Sequence, residues 1–432
     1  MAHHSHCVGL ILLFLRMTLQ GVLGFRGAAS ALKLVSTFLG TDKLVVSPTG
    51  GQMWLLRLGL YELSRAKEQA DDWIWIVDHT IQVGKGKCFV VVGVRVALLT
   101  AKRIDKYSGG ALTCEDLSVW EIELVEKSNG LIVEQQLTAL SETTGQVPRA
   151  ILSDCGGDLS AGISQFCATH PQTIALKDLP HFAANAIKKE LSDDSQWTEF
   201  LADANRSKTE LRQSHFAFLL PPDLKSKARW MNLDPLINWS EKVLHFVNSP
   251  RPVPGMALED EELQEKMGWL LKYRSSLRQW ADMLGVVNST LKYIRKYGYH
   301  QNARNELNEI LAPLAIPNSH SRRVADRILD YVEEQSQEIP AGEHLLATTE
   351  ALESLLGKAK QLQGQQSRSG FTKMILSIAA SVSQLTADKI TSALSAIKVR
   401  NVIEWVANEI GPSVQAQRIH ALYPSTNGTK IG

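Results

Sequence analysis

Residues 71–95 limit the fold more than any other segment, because two apolar runs are joined there by a short Gly/Lys turn in DDWIWIVDHTIQVGKGKCFVVVGVR. Runs rich in β-branched and aromatic residues on either side of such a turn predict a β-hairpin. The turn GKGK is not a phosphate-binding loop, since it lacks the glycine-framed spacing and the Lys-Ser/Thr ending of that motif and does not open a helix. The chain therefore contains a β-sheet built on this hairpin.

The segments after the hairpin alternate between strand and helix patterns. A third strand precedes the first helix, and each later strand is followed by a helix, which is typical of a mixed α/β sheet. This order resembles a ribonuclease H-like core. We expect strands at 117–125, 149–153 and 173–176 and helices at 129–143, 159–170 and 178–191.

The first 68 residues predict short helices joined by tight turns. Apolar residues recur at helical spacing from Leu10 to Val35, with a break around residues 21–24, and a second helical run covers 52–63. Such an arrangement fits a helix-turn-helix module whose second helix, with Trp54 and Arg57, would enter a DNA major groove. The alternative is a helical cap on the following domain without DNA contact.

From residue 197 the pattern is helical for about 145 residues, and helical TTEALESLLGKAKQLQ then follows at 348–363. Five tryptophans in the helical block are expected to lie mainly in its core, and Trp230, beside Arg229, is the candidate for stacking on a DNA base. Because 432 residues exceed the usual size of one core, we expect several domains. Their expected limits are 1–68 (helix-turn-helix-like), 69–195 (first part of the α/β domain), 196–342 (all-helical insertion) and 343–432 (remainder of the α/β domain and C-terminal helices).

Charge is unevenly distributed although the net charge is only +1. Residues 1–70 carry a net charge of +4 and residues 354–432 a net charge of +6, which leaves −9 for the centre. Basic ends around an acidic centre suit a protein that binds a polyanion and concentrates carboxylates at a metal site. Ordinary variation in charge is the alternative.

Cysteine usage and hydropathy indicate where the chain resides. The five cysteines form no CxxC pair and no zinc-ligand spacing, so we expect them to be reduced in a cytosolic protein. The run VGLILLFL at residues 8–15 has no basic residue before it and is too short to span a bilayer, so no membrane association is expected.

Two aspartates occupy matching positions after apolar strand runs. Asp78 closes WIWIV on the same face as Ile74 and Ile76, and Asp154 follows AILS directly before two glycines. A carboxylate on a buried strand needs a cation or a hydrogen-bond donor nearby. If the two strands are neighbours, the two aspartates would together form one metal-binding site. Both could instead be turn or cap residues.

A third carboxylate is needed where two metal ions cleave a phosphodiester. Glu353 is the candidate, because Leu352, Leu355 and Leu356 mark the buried side of its helix and Lys360 follows two turns later, within reach of a DNA phosphate. Spacing alone does not choose between Glu353 and three nearby glutamates, Glu334, Glu343 and Glu350.

Taken together, Asp78, Asp154, the long helical insert and TTEALESLLGKAK resemble a DDE-type transposase of the insertion-sequence class. The intervals of 76 and 199 residues match members whose helical insertion separates the second Asp from the Glu, including hAT-like enzymes. Asp178 and His181, in DLPH, resemble the C/DxxH motif of hAT-like enzymes. Glu353 and Lys360 resemble the bacterial signature, although its Arg and Tyr are replaced here by Thr349 and Leu346.

The resemblance implies a specific chemistry and set of partners. Asp78, Asp154 and Glu353 would hold two Mg²⁺ or Mn²⁺ ions for DNA cleavage and strand transfer, with Asp178 and His181 as auxiliary residues. Lys358 and Lys360, with the N-terminal helices, would contact double-stranded DNA, both element ends and target. A homodimer on DNA in the bacterial cytoplasm, associated with the nucleoid, is also implied.

Two other functions remain open at this stage. One is a ribonuclease H-like nuclease that cleaves structured DNA without joining it, and the other is a transposase-derived DNA-binding protein without catalysis. The abrupt start MAHHSHC before an apolar helix leaves little room for a complete DNA-binding domain, so a truncated or misassigned start is among our expectations.

Overall fold

The structure is a computed structural model that describes residues 6–41, 43–83, 86–105, 111–154, 156–225, 230–248, 260–317, 319–364, 372–412, 417–418 and 421–422. The chain divides into two compact units. The first unit comprises residues 1–177 and 349–432, and the second comprises residues 178–348.

The first unit begins with three helices and continues with a sheet and its crossover helices. The helices are α1 (Val8–Leu19), α2 (Phe25–Phe38) and α3 (Pro48–Ser64). The following elements are β1 (Trp73–Val83), β2 (Gly86–Arg95), α4 (Val96–Ile104), β3 (Ser118–Val125), α5 (Gly130–Thr144), β4 (Ala150–Ser153), α6 (Gly157–Thr169) and β5 (Ile174–Lys177).

The five strands form one mixed sheet in the order β3-β2-β1-β4-β5. The hairpin β1–β2 and the pair β2–β3 are antiparallel, whereas β4 is parallel to both β1 and β5. The α/β class predicted from the sequence is confirmed, and the predicted strands and helices of this region agree with the observed ones to within a few residues. Helix α4, which has no buried side chain, was not predicted.

Strand β1 is apolar on both faces because both faces are covered. Trp73, Trp75 and Val77 pack in one cluster with side chains of β2, α5 and α6, while Ile74 and Ile76 are buried on the opposite face. Strands buried on both sides lose the alternation of apolar and polar residues, which explains the uninterrupted run WIWIV.

The second unit is built almost entirely of helices. Apart from an isolated bridge between Tyr299 and Leu345, its described residues form no strand pairing. Its helices are α7 (Leu179–Ser192), α8 (Ser195–Leu211), α9 (Leu233–Asn248), α10 (Asp260–Met267), α11 (Arg274–Tyr297), α12 (Ala303–Leu311) and α13 (His320–Ser336).

The ends of this second unit lie together, since the backbone N–H of Leu179 donates to the carbonyl oxygen of Ala347 over 3.0 Å. A unit with adjacent ends can interrupt another fold at one point of its chain. The helical unit covers residues 178–348, whereas the insertion was expected at 196–342. It includes α7, because α7 packs against α11 and α13.

Aromatic side chains form much of the core of the second unit. Trp197 and Trp280 are buried and meet edge to face, with ring centroids 4.9 Å apart. The indole N–H of Trp280 donates to Asp194 over 2.8 Å, which satisfies its polar atom. Trp230 is half-buried, and Arg229 lies outside the described residues.

The first unit resumes with C-terminal helices that complete the packing of α1–α3. They are α14 (Glu350–Gly364), α15 (Leu376–Ala380), α16 (Ala387–Ala396) and α17 (Val399–Trp405), and a π-helical turn (Val406–Ile410) follows. One hydrophobic cluster joins buried residues of α1, α2 and α3 with those of α14, α15, α16 and α17. Residues 1–68 therefore pack within the first unit, and a helix-turn-helix module formed by these helices stays a prediction.

Within the described part of the chain, no helix is both long enough and apolar enough to cross a membrane.

A substitution at Gly59 tests how closely α3 and α15 approach each other. A Cβ atom at Gly59 would overlap the backbone carbonyl oxygen of Leu376, whereas one at Gly357 in α14 would meet nothing. We expect Gly59→Ala to lower the free energy of unfolding by about 1–3 kcal/mol, and Gly357→Ala to raise it by about 0.5–1 kcal/mol. Urea unfolding of both variants measures this difference, and equal stability of the two would contradict the packing.

Glu121 on β3 predicts a pH dependence of stability. Burial, with a contribution from Glu123 and Glu409 against the opposing charge of Lys67, raises the pKa of Glu121 from 4.5 to about 7. The folded protein therefore holds this proton more tightly than the unfolded chain, so stability falls as pH rises from about 4.5 and the full cost is reached above about pH 7.

Glu121→Gln should remove this cost, which is on the order of 2 kcal/mol after allowance for solvent screening. Melting temperatures measured between about pH 5 and pH 8 should decline less steeply for this variant than for the wild type. Glu142→Gln, at an exposed position of α5, is the matched control and should follow the wild-type curve.

Candidate active site

Asp78 and Asp154 lie side by side because of the parallel register of β1 and β4. The last paired residues of these strands are Val77 and Ser153. The next position on each strand is an aspartate, so the two backbones are about one strand spacing apart, about 4.8 Å, at these residues. The expected juxtaposition of the two aspartates is what the described backbone shows.

The position of Asp78 within its strand differs from the prediction. Asp78 was expected at the end of a strand, but β1 continues to Val83 and Asp78 pairs with Val90 of β2. It is β4 that ends, at Ser153. Asp78 therefore lies where β1 keeps its pairing with β2 and loses its pairing with β4.

Local backbone donors hold both carboxylates. Asp154 Oδ1 accepts from the backbone N–H of Gly156 over 2.9 Å, and Asp78 Oδ1 accepts from the backbone N–H of His79 over 2.7 Å. A Cβ atom at Gly156 would lie 2.9 Å from Asp154 Oδ1, so glycine permits this close turn. Within the part of the chain that the structure describes, both of these hydrogen bonds use Oδ1, which leaves Oδ2 of each aspartate for another partner.

Glu353 reaches the same region from the first turn of α14, which contacts β1. Leu352, Leu355 and Leu356 are buried and fix the orientation of the helix, as the sequence pattern predicted. The hydroxyl of buried Thr349 lies 3.4 Å from Glu353 Oε1. Thr349, which stands where the related signature has an arginine, thus contacts the candidate carboxylate.

The charges of these groups influence one another. Burial first, and then the carboxylate of Asp154, raises the pKa of Asp78 from 3.8 to about 7. Glu353 contributes to the same increase, while the His79 backbone N–H and the ammonium of Lys360 lower the pKa. Asp78, Asp154, Glu353 and Lys360 are therefore electrostatically coupled, and the negative charges outweigh the positive one.

A cavity of about 290 Å³ opens beside the two aspartates. Because β4 ends here, groups from both faces of β1 line it, together with residues of β2 and α6. Its lining residues are Asp78, His79, Thr80, Lys87, Asp154, Gly156, Asp158 and Leu159.

Sequence reasoning missed the basic side of this cavity. Lys87 donates to Asp158 over 2.8 Å, His79 lies 3.7 Å from the same carboxylate, and Ser128 lies 3.2 Å from the other ring nitrogen of His79. Desolvation by burial opposes ionisation, but hydrogen bonds from Lys87 and Ser128 lower the pKa of Asp158 to about 2. The available signal was the position of Asp158 in the first turn of a helix only four residues after Asp154.

The donor chemistry of the site fits a hard divalent cation, because carboxylate oxygens are the ligands that Mg²⁺ and Mn²⁺ prefer. Burial first, and then the carboxylate of Asp154, raises the pKa of Asp78, so a cation beside the pair would favour its ionised form. Among the described residues, however, no three His, Cys, Asp or Glu side chains converge closely enough to hold a metal ion. The aspartate pair is assembled, and Glu353 lies near it without closing the ligand set.

The two lysines expected to contact DNA are both exposed on α14 but lie in different surroundings. The charge of Lys360 reaches Asp78. Lys358 instead lines a separate cavity of about 230 Å³ with Gln20, Cys114 and Ser383. Only Lys360 is thus placed with the carboxylates.

The expected DNA contacts of α3 are not supported by the structure. Trp54 is buried against Phe14 with ring centroids 5.8 Å apart. Arg57 is 7% exposed and donates to the carbonyl oxygens of Ile397, over 2.6 Å, and Leu394. Arg57 therefore satisfies the C-terminal carbonyl groups of α16, and both residues serve packing of the first unit.

Asp178 and His181 belong to the second unit. Asp178 is fully buried and caps α7, because its carboxylate accepts from the backbone N–H of His181 over 2.7 Å. This hydrogen bond uses the main chain of His181 and not its ring, so the DLPH motif has a structural role at a helix start.

In comparisons with known proteins, the chain matches no protein-family model and no curated sequence.

Arg57 provides a test of the corrected role of α3. Arg57→Met would leave the carbonyl oxygens of Leu394 and Ile397 without their buried donor, so we expect a loss of about 2–4 kcal/mol in the free energy of unfolding. Arg26→Met, at an exposed position of α2, is the control and should change it by less than about 0.5 kcal/mol. Urea denaturation monitored by tryptophan fluorescence measures both, and equal midpoints would show that Arg57 is not a structural residue.

Proposed function

We propose that this protein is a DDE-type transposase that cleaves DNA at the ends of a mobile element and joins them to target DNA. The observation that carries the proposal is the alignment of Asp78 and Asp154 at the end of β4, with Glu353 coupled to them from α14. No other pair of strand residues in the described sheet places two carboxylates beside each other in this way.

The chain topology supports a ribonuclease H-like core for this activity. Three antiparallel strands are followed by two parallel strands, each reached through a helix, which is the order that the sequence resemblance implied. A helical unit then separates Asp154 from Glu353, as in transposases with an insertion between the second aspartate and the glutamate.

Asp78, Asp154 and Glu353 would hold Mg²⁺ or Mn²⁺, two ions in the full arrangement. When bound, these ions lower the pKa of an attacking water or DNA hydroxyl and stabilise the leaving oxygen. The ligand set would close if Glu353, whose Oε1 lies 3.4 Å from the hydroxyl of Thr349, moved toward the aspartate pair.

The chain's own residues would orient the DNA. Lys360, exposed two turns after Glu353, would pair with a backbone phosphate on the same side of α14 as the carboxylates. The backbone N–H of Gly156 holds Oδ1 of Asp154 in place at the end of β4. Double-stranded DNA and a second copy of the chain are the partners that this reaction requires.

A non-catalytic DNA-binding protein is the second candidate. The observation in its favour is that the described residues contain no closed set of three metal ligands. A nuclease without strand transfer would use the same site and differs only in its products.

Cleavage of a supercoiled plasmid in Mg²⁺ or Mn²⁺ tests the catalytic proposal. We expect nicked and linear products from the wild type, and a reduction of more than about 100-fold for Asp154→Ala and Glu353→Gln, because each removes a metal ligand. Glu350→Gln, one turn earlier on α14, is the matched control and should retain cleavage.

Gel-shift binding of the same DNA by all variants shows that they remain folded and competent to bind. Cleavage by Asp154→Ala at the wild-type rate would overturn the proposed site. Binding by the wild type without any cleavage would favour the non-catalytic protein. Cleavage by the wild type without joined products would favour the nuclease.

A further inference from the structure

The cavity beside Asp78 and Asp154 has an acidic side and a basic side, and the proposed chemistry uses only the first. Lys87 is the one lysine or arginine among the described residues that line this cavity. It reaches the cavity from β2, while the acidic pair belongs to β1 and the end of β4. A positive charge is thereby held next to the carboxylates by the strand order itself.

Lys87 is fixed in this position and remains accessible. Its ammonium donates to Asp158 Oδ2 over 2.8 Å, and its side chain is 30% exposed. Asp158 also accepts a hydrogen bond from Ser128 and lies 3.7 Å from His79, so its carboxylate is held from three sides. Among the described residues the Lys87 ammonium makes one hydrogen bond, to Asp158, and an ammonium group can make three.

Other donors surround the same space. The N-terminus of α6, a helix of thirteen residues, begins at Gly157 beside the cavity, and helix N-termini favour anions. Thr80 also lines the cavity, is 4% exposed, and no described residue lies within hydrogen-bond distance of its hydroxyl. A buried hydroxyl without a partner is a group that a ligand oxygen would satisfy.

We infer that Lys87 is a phosphate-binding residue and that Asp158 is the positioning residue that keeps it directed into the cavity. The ligand is a phosphodiester group of DNA, placed next to the carboxylates that would hold the metal ions. This inference rests on the proposed function for the identity of the DNA, but the anion-binding property of Lys87 can be measured without catalysis.

The choice of a phosphate follows from the charges at hand. A neutral or cationic ligand would leave Lys87 with no partner beyond Asp158 and would gain nothing from the N-terminus of α6. A carboxylate and a phosphodiester each carry one negative charge, and the phosphodiester is chosen because it is the anionic group of the DNA in the proposed function. Inorganic phosphate shares its oxygen chemistry and is the simplest probe of this side of the cavity.

Two variants with the same change in charge separate a phosphate contact from general electrostatics. Lys87→Met removes the proposed contact, and Lys102→Met breaks the comparable Lys102–Asp116 ion pair of the same unit, which spans 2.7 Å. Lys87→Arg preserves the charge at the cavity and is the rescue variant. All three are compared with the wild type in the full chain.

The first measurement is the affinity for a fluorescent DNA duplex, read by anisotropy in EDTA at several salt concentrations. For Lys87→Met we expect a Kd about tenfold higher and a plot of log Kd against log salt whose slope is smaller by about one. Lys102→Met and Lys87→Arg should keep the wild-type slope. Equal Kd values and slopes for Lys87→Met and Lys102→Met overturn the inference.

The second measurement uses inorganic phosphate alone and needs no DNA. Phosphate stabilises many proteins nonspecifically, so the quantity of interest is the difference between variants in the phosphate-induced rise of melting temperature, at constant ionic strength. We expect a smaller rise for Lys87→Met than for Lys102→Met, and identical rises overturn the inference.

Plasmid cleavage in the same preparations separates this inference from the proposed function. If Lys87→Met loses the phosphate effect and none of the proteins cleaves the plasmid, the phosphate site is supported and the transposase proposal is rejected. If the wild type cleaves the plasmid but Lys87→Met behaves like Lys102→Met in both binding measurements, the transposase proposal is supported and the phosphate site is rejected.

Discussion

Strand β1 is hydrogen-bonded on both edges, antiparallel to β2 and parallel to β4, and the rest of the first unit depends on this pairing. Its register with β4 places Asp78 opposite Asp154. A shift of one residue would turn every side chain of β1 to the other face and would move Trp75 and Val77 out of their cluster. The apolar core therefore fixes the register, and the register fixes the aspartate pair.

The aspartate pair is costly in isolation, and the surrounding groups offset only part of this cost. Burial and mutual repulsion raise the pKa of Asp78, and Lys360 with one backbone N–H opposes that increase. On the other side of the cavity, Lys87 and Ser128 keep Asp158 ionised. An excess of negative charge next to a fixed ammonium is an arrangement suited to metal ions and a phosphate, and this suitability is the physical basis of both proposals.

The N-terminal helices contribute to this arrangement indirectly. Arg57 on α3 binds the carbonyl groups at the end of α16, and Gly59 allows α3 to approach α15 closely. These contacts join residues more than 300 positions apart in the chain. One hydrophobic cluster joins these helices to α14, which contributes Glu353 and Lys360.

The sequence by itself determined the local elements and the chemistry-bearing residues of the strands. Local patterns depend on neighbours within a few residues and can be recognised from the sequence alone. Examples are the uninterrupted run WIWIV, the strand before Asp154 and the helical periodicity around Glu353. The same holds for the α/β class and for the presence of a helical block after residue 196.

Only the tertiary structure decided which of these residues meet and which are buried. Trp54 and Arg57 look like residues of a DNA-reading helix from the sequence. In the fold, Trp54 packs against Phe14 of α1, and Arg57 binds carbonyl groups at the end of the distant helix α16. The ion pair between Lys87 and Asp158 is not encoded by either local segment, because it forms only when β2 and the start of α6 converge at the end of β4. Contacts between elements far apart in the chain arise from sheet register and helix packing, and no single segment of the sequence encodes them.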